Sequence, residues 1–195
     1  MHTSDNLAET ARVYLQNIDG AIKRARSALH GRGARITCAK GCAWCCRLPV
    51  RATLPEGALA ARYIRDTLPP PEVAALVGHM EDWLSRRENA PLTRGIPDVP
   101  ACPFLADDLC IIYPARPMGC RVHSSTADPA LCGRGQDGPA LFESPGTVAE
   151  VIDEVKPVCM DYRLGLEQSG MNFQSIVKHL PELVLEGLKT CGGQQ

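Results

Sequence analysis

Long stretches of regular apolar spacing alternate along this chain with short stretches that have none. Between about residues 5 and 29, Leu7, Ala11, Leu15, Ile18, Ile22, Ala25 and Leu29 recur every three or four positions with charges between them. That is the pattern of an amphipathic helix with its stripe on a core. Ser4 or Asp5 is placed to cap it, Lys23, Arg24 and Arg26 suit the negative end of its dipole, and Gly31 and Gly33 stop it. A basic amphipathic helix also suits a membrane surface or a partner, but packing on its own core is the expected use. Arg47 to Thr53 reads as extended. Thr53-Leu54-Pro55-Glu56 is then a capping box with proline in the first turn, predicting a helix to about Leu68. Three prolines at 69–71 end it and open another over about 71–89, with Val73, Leu76, Val77, Met80, Trp83 and Leu84 on its apolar face.

From about Gly146 the spacing is helical again, through Val148, Val151, Ile152, Val155 and Val158, and Pro157 is expected to bend or split the run. Phe173, Ile176, Val177 and Leu180 follow. Pro181 then opens a last set with Leu183, Val184, Leu185 and Leu188, which Gly192 and Gly193 end. Between these regions the periodicity fails. Residues 90–101 carry three prolines and a glycine and read as a loop without chemistry, and 133–146 are rich in glycine and proline. The apolar pieces on either side of Asp107-Asp108 suit a small hairpin. There is no long-period repeat and no low-complexity tract. The expected fold is mainly α, a small helical domain over residues 1–195. An N-terminal helix over 5–30 and C-terminal helices over 146–191 flank a cysteine-rich irregular core over 36–133, with at most a short hairpin.

Composition narrows the use of that fold. A chain of 195 residues with 45% hydrophobic content can bury a self-sufficient core. A net charge of −1 provides no basic field for nucleic acid, so no nucleic-acid partner is expected. No apolar run approaches the roughly 20 residues needed to span a bilayer, and the N-terminus has neither a basic nor an apolar leader region. The expected location is the cytoplasm, where ten cysteines point to metal or redox chemistry rather than disulfides.

Eight cysteines fall into two blocks, Cys38, Cys42, Cys45 and Cys46, then Cys102, Cys110, Cys120 and Cys132. Read as a helix, the first block shares one face, yet the adjacent Cys45 and Cys46 diverge by about 100°, so they serve two ions or one of them points elsewhere. Four thiolates close a zinc site, so eight fill two sites or one shared polynuclear site. An iron–sulfur cluster is also satisfied by four. The spacing matches neither the ferredoxin runs nor a standard zinc finger. Clustered thiolates repel, and Arg47, Arg116 and Arg121 stand beside cysteines where they can help a metal offset that charge. His123 suits a ligand, a proton carrier or a structural role. Tyr113, Arg116, Arg121 and His123 are thus the candidates around a cofactor or substrate. Asp107 and Asp108 read as a turn, and Cys159 and Cys191 as packing or incidental thiols. His2, His30, His79 and His179 lie away from the blocks.

Cys38 to Cys46, Cys102-Pro-Phe-Leu, Cys110-Ile-Ile-Tyr and Arg116-Pro-Met-Gly-Cys120-Arg together resemble the YkgJ family, the CxxCxxCC group described as zinc- or iron-chelating. The resemblance covers about residues 36–133, with three residues rather than two between Cys38 and Cys42 and a looser match at Cys132. It implies chelation of zinc or iron ions by the cysteines. A similar pattern in a flagellin lysine N-methylase opens a second reading, an iron or iron–sulfur enzyme of redox or group-transfer chemistry. No glycine-rich turn after a strand marks a nucleotide site. A third reading is a thiol redox sensor using Cys45 and Cys46.

Overall fold

The computed structural model describes residues 3–90, 92–93, 96–97, 100–134 and 148–191. The predicted first helix is α1, Ser4–Gly31, and all seven predicted stripe positions are buried. Its cap is Thr3 rather than Ser4 or Asp5. Ser4 is already helical, while Thr3 has the extended backbone that a cap requires and its Oγ1 accepts from the Asn6 N–H at 3.3 Å. At the other end Gly33 takes a left-handed φ of 76°, and the Ala34 N–H returns to the Leu29 carbonyl.

The capping box forms as predicted and opens α2, Leu54–Thr67, followed by α3, Pro70–Glu88. Two further helices, α6 (Ala149–Gln168) and α7 (Leu180–Cys191), complete the scaffold. Pro157 does not split α6. Asp153 and Pro157 both lie on its exposed side, so the carbonyl left without a partner faces water while Val151 and Val155 stay packed on α1.

Two apolar seams hold these helices. Tyr14, Leu15, Ile18 and Ile22 of α1 meet Val151 and Val155 of α6. Ile64, Leu76, Met80, Leu183 and Val184 join α2, α3 and α7, and Phe104 and Ile112 cover that cluster from the cysteine region. α2 and α7 approach closely because two glycines permit it. A Cβ at Gly57 would lie 2.3 Å from the Leu183 Cβ, and one at Gly187 2.7 Å from the Ala61 Cβ.

Extended pairing exceeds the single short hairpin expected. β1, Arg51–Thr53, pairs antiparallel with β6, Val177–His179, in the register Arg51↔His179, Ala52↔Lys178 and Thr53↔Val177. The helical spacing read through 173–180 hid this strand, because three residues are too few to display alternation. β2 (Leu92–Thr93) and β3 (Ile96–Pro97) pair within the segment expected to be a loop. The predicted hairpin is β4 (Leu105–Ala106) with β5 (Leu109–Cys110). Asp107 and Asp108 make its turn at φ 49° and 58°, the left-handed pair that a two-residue hairpin uses. Two short helices, α4 (Met118–Val122) and α5 (Pro129–Arg134), complete the centre. Residues 135–147, most of the glycine- and proline-rich stretch, lie outside the described residues, as do His2, Gly192 and Gly193. Among the described residues no helix is long and apolar enough to cross a membrane.

Candidate metal centre

The first cysteine block is not a helix. Gly41, at φ 93°, turns the chain away from helical geometry, and only Trp44–Arg47 forms a 3₁₀ turn. Tight turns coil the rest: the Cys42 N–H reaches the Ala39 carbonyl and the Cys46 N–H the Ala43 carbonyl, each in three residues. The second block is then pinned to the first, the Cys102 N–H donating to the Cys46 carbonyl at 2.7 Å. The β4–β5 hairpin returns the chain so that Cys110 stands opposite Leu105. A second 3₁₀ turn, Tyr113–Ala115, leads to α4, which carries Cys120.

The result brings six thiols, Cys42, Cys45, Cys46, Cys102, Cys110 and Cys120, to the lining of one concavity, over an apolar floor that includes Phe104, Ile112 and Leu180. Cys38 and Cys132 lie beside it. The Ser125 N–H donates to the Cys38 Sγ at 3.2 Å, and α5, bearing Cys132, packs on the 3₁₀ turn. Thr37 fixes this edge, its hydroxyl donating to the carbonyls of Ser125 and Ala127 at 3.0 and 2.6 Å. The nine cysteines whose side chains are described are free thiols. Among the described residues no three Cys, His, Asp or Glu side chains already form a closed ligand group, so the six thiols surround a space rather than meet at a point.

Burial is the main influence on the acidity of four of these thiols. It pushes Cys102 up to about 12 and raises Cys38, Cys110 and Cys120 as well. Cys46 is raised first by its hydrogen bond to Cys45, then by burial and by the thiols around it. The same hydrogen bond is the main cause that lowers Cys45, with Arg116 helping. The raised thiols, Cys38, Cys46, Cys102, Cys110 and Cys120, stay protonated unless a cation replaces their protons, and thiolates prefer soft divalent ions. The donor set therefore fits zinc or iron.

Arg116 lines the concavity with its guanidinium 3.9 Å from the centre of the Tyr113 ring, and among the described residues its buried Nε has no hydrogen-bond partner. Its charge favours the thiolate forms of Cys45, Cys110 and Cys120. Arg121 does not line the space. It holds the turn that presents Arg116, donating to the carbonyls of Arg116 at 2.8 Å and Pro114 at 2.5 Å while paired with Asp19 at 2.6 Å. His123 caps α4 and stays off the lining, and Arg47 is exposed away from it. Of the turn aspartates, Asp108 reaches the concavity and Asp107 does not. Cys159 packs in the α1–α6 seam, 3.4 Å from the Tyr14 hydroxyl. The Cys191 side chain lies outside the described residues.

One supporting residue was only half legible. Glu56 Oε2 accepts from the Thr53 N–H and hydroxyl at 2.8 Å, the expected capping box, but Oε1 accepts at 2.7 Å from the Met118 N–H at the start of α4. This buried carboxyl thus fastens the helix that carries Cys120 to α2. Ser125, which no spacing marked, anchors Cys38 in the same long-range manner.

Curated proteins and solved structures give no significant match to the chain. A family model described as "CxxCxxCC: Putative zinc- or iron-chelating domain" matches residues 37–159. The match takes in every thiol of the centre and the first half of α6. With both cysteine blocks inside a match that covers more than half of its length, the chain belongs to the CxxCxxCC, or YkgJ, family of zinc- or iron-chelating domains.

Proposed function

We propose that the protein is a cytoplasmic chelator that holds more than one zinc or iron ion through Cys38, Cys42, Cys45, Cys46, Cys102, Cys110, Cys120 and Cys132. The observation that carries this reading is the convergence of six of these thiols on one concavity from separate parts of the chain. A bound ion would supply the positive charge that lets the buried thiols ionise. Arg116, stacked on Tyr113, adds to that charge, and Arg121 holds Arg116 in place. His123 has at most an outer role. Free thiols throughout the described residues suit a reducing compartment.

Elemental analysis of anaerobically purified protein, with an assay for inorganic sulfide, tests the proposal. Colourless protein with more than one zinc per chain, or iron without sulfide, is the expected result. Cys46→Ser and Cys120→Ser should each lower metal content and thermal stability together, since the binding energy of such sites is folding energy. Unchanged metal content in both variants would remove them from the ligand set.

One observation favours a second reading, an iron or iron–sulfur enzyme. Arg116 lines the concavity and, among the described residues, its buried Nε has no hydrogen-bond partner, so its guanidinium is the candidate group to pair with a substrate anion. Brown protein containing sulfide would select this alternative over simple chelation.

A further inference from the structure

Apart from Arg116, the buried side-chain nitrogens without a hydrogen-bond partner among the described residues are Arg87 Nε and His179 Nδ1. The two belong to one neighbourhood. His179 ends β6, where it stands opposite Arg51 of β1, and the Leu180 N–H extends that pairing to the Val50 carbonyl at 3.0 Å. α7 starts at Leu180 and packs Leu183 and Val184 on Leu76 and Met80 of α3, which brings the end of β6 against that helix. The His179 ring centre lies 6.1 Å from that of Trp83. Arg87 follows Trp83 by four residues on α3 and so shares its face.

The charges here are poorly balanced. Arg86 is paired with Asp82, and Lys178 with Glu182 and Glu186, but no ion pair engages Arg51 or Arg87 among the described residues. Arg51 is exposed and gives one guanidinium nitrogen to the Val177 carbonyl at 2.8 Å. Burial, then the charges of Arg87 and Arg51, push the His179 imidazole below its usual value, with Glu182 and the Val50 carbonyl opposing them. Native chains seldom leave buried polar groups unpaired, and a bound ion is one partner that satisfies them.

We infer that Arg51, Arg87 and His179 form a binding site for a phosphate group, at the junction of β1, β6 and the end of α3. None of the three lines the thiol concavity, so the site is separate from the metal centre. A carboxylate, with two oxygens and one charge, satisfies a single guanidinium fork. A phosphate group has the oxygens and the charge to engage donors from three elements. Arg87 and His179 are half-buried, so they meet the anion at the surface and turn their closed nitrogens onto it. Trp83 is fixed beside them by its Nε1–H bond to the Pro100 carbonyl at 3.0 Å.

Titration of the full-length, metal-loaded protein with inorganic phosphate, and separately with phenyl phosphate, tests the site by calorimetry. The Trp44→Phe variant, which keeps only Trp83, reports the same event by fluorescence. One phosphate per chain should bind and shift the Trp83 emission. Arg87→Gln should weaken binding about ten-fold or more, and Arg51→Gln and His179→Gln less, with metal content and helical circular dichroism unchanged. Arg65→Gln, at an exposed position of α2, should change nothing. Equal affinity for the two probes would identify the free ion as the ligand, and tighter binding of phenyl phosphate an ester. No binding of either probe at millimolar concentration would overturn the site. So would affinity that Arg87→Gln leaves unchanged, which would place the phosphate on the metal centre, or an equal loss in Arg65→Gln.

Discussion

The α1–α6 seam and the cysteine centre are built on opposite principles. In the seam a 28-residue helix lays an unbroken apolar stripe on its neighbour, and the ion pairs across its edge, Arg24–Glu154 at 2.8 Å and Arg32–Glu150 at 2.6 Å, are largely exposed. Such pairs contribute under about 1 kcal/mol each, so apolar burial holds the seam. Among the described residues the helices that carry the centre's cysteines, α4 and α5, have at most six residues, and position is set by individual hydrogen bonds such as Cys102 to Cys46, Ser125 to Cys38 and Met118 to Glu56. The seam can stand on its own burial. The centre borrows order from the scaffold beneath it and from whatever its thiols hold.

Metal removal should separate the two regions most sharply. Structural zinc sites release on the order of 10–16 kcal/mol on binding. Stripped protein should therefore lose amide-exchange protection across 100–134 while α1, α2 and α6 keep their helical signal. If the helical signal falls in step with metal loss, the scaffold is not independent and the contrast fails.

Glu56→Gln sharpens the contrast at its joint. The carboxylate accepts from three donors with two oxygens, whereas an amide offers one acceptor and turns its NH₂ toward another donor. A loss of about 1–3 kcal/mol in denaturant unfolding is expected, with weaker metal binding, because α4 is released along with the cap. Burial outweighs the hydrogen bonds and raises the Glu56 carboxyl, so the folded chain holds that proton more tightly than the unfolded chain does. Its contribution is complete below the unfolded carboxyl value and is lost as pH rises through the raised folded value. This pH dependence should vanish in Glu56→Gln, and its persistence there would assign it to another group.

Cys159→Ser should have the smallest effect, about 1 kcal/mol or less, with metal content unchanged, since the thiol belongs to the seam and its bond to Tyr14 is weak. Metal loss in this variant would place Cys159 in the wrong region.

Legibility divided along the same line. The stripe from Leu7 to Leu29 and the capping box at Thr53 were readable because their information lies within one or two turns of chain. The β4–β5 turn was readable because Asp107 and Asp108 tolerate left-handed backbone. The β1–β6 pair, the second oxygen of Glu56 and the anchoring of Cys38 were not, since each joins residues far apart through a few polar atoms that carry no period. A helix was the natural reading of Cys38–Cys46. Gly41 and the bond from Cys102 decided otherwise.

By itself the sequence determined that this is a mainly helical protein with a two-block thiol centre, because periodic burial and the donor chemistry of cysteine are local properties of residue type and spacing. Only the tertiary structure decided which thiols share a wall. That depends on how the hairpin, α4 and α5 are folded back on one 3₁₀ turn, and so on contacts between residues that spacing does not relate.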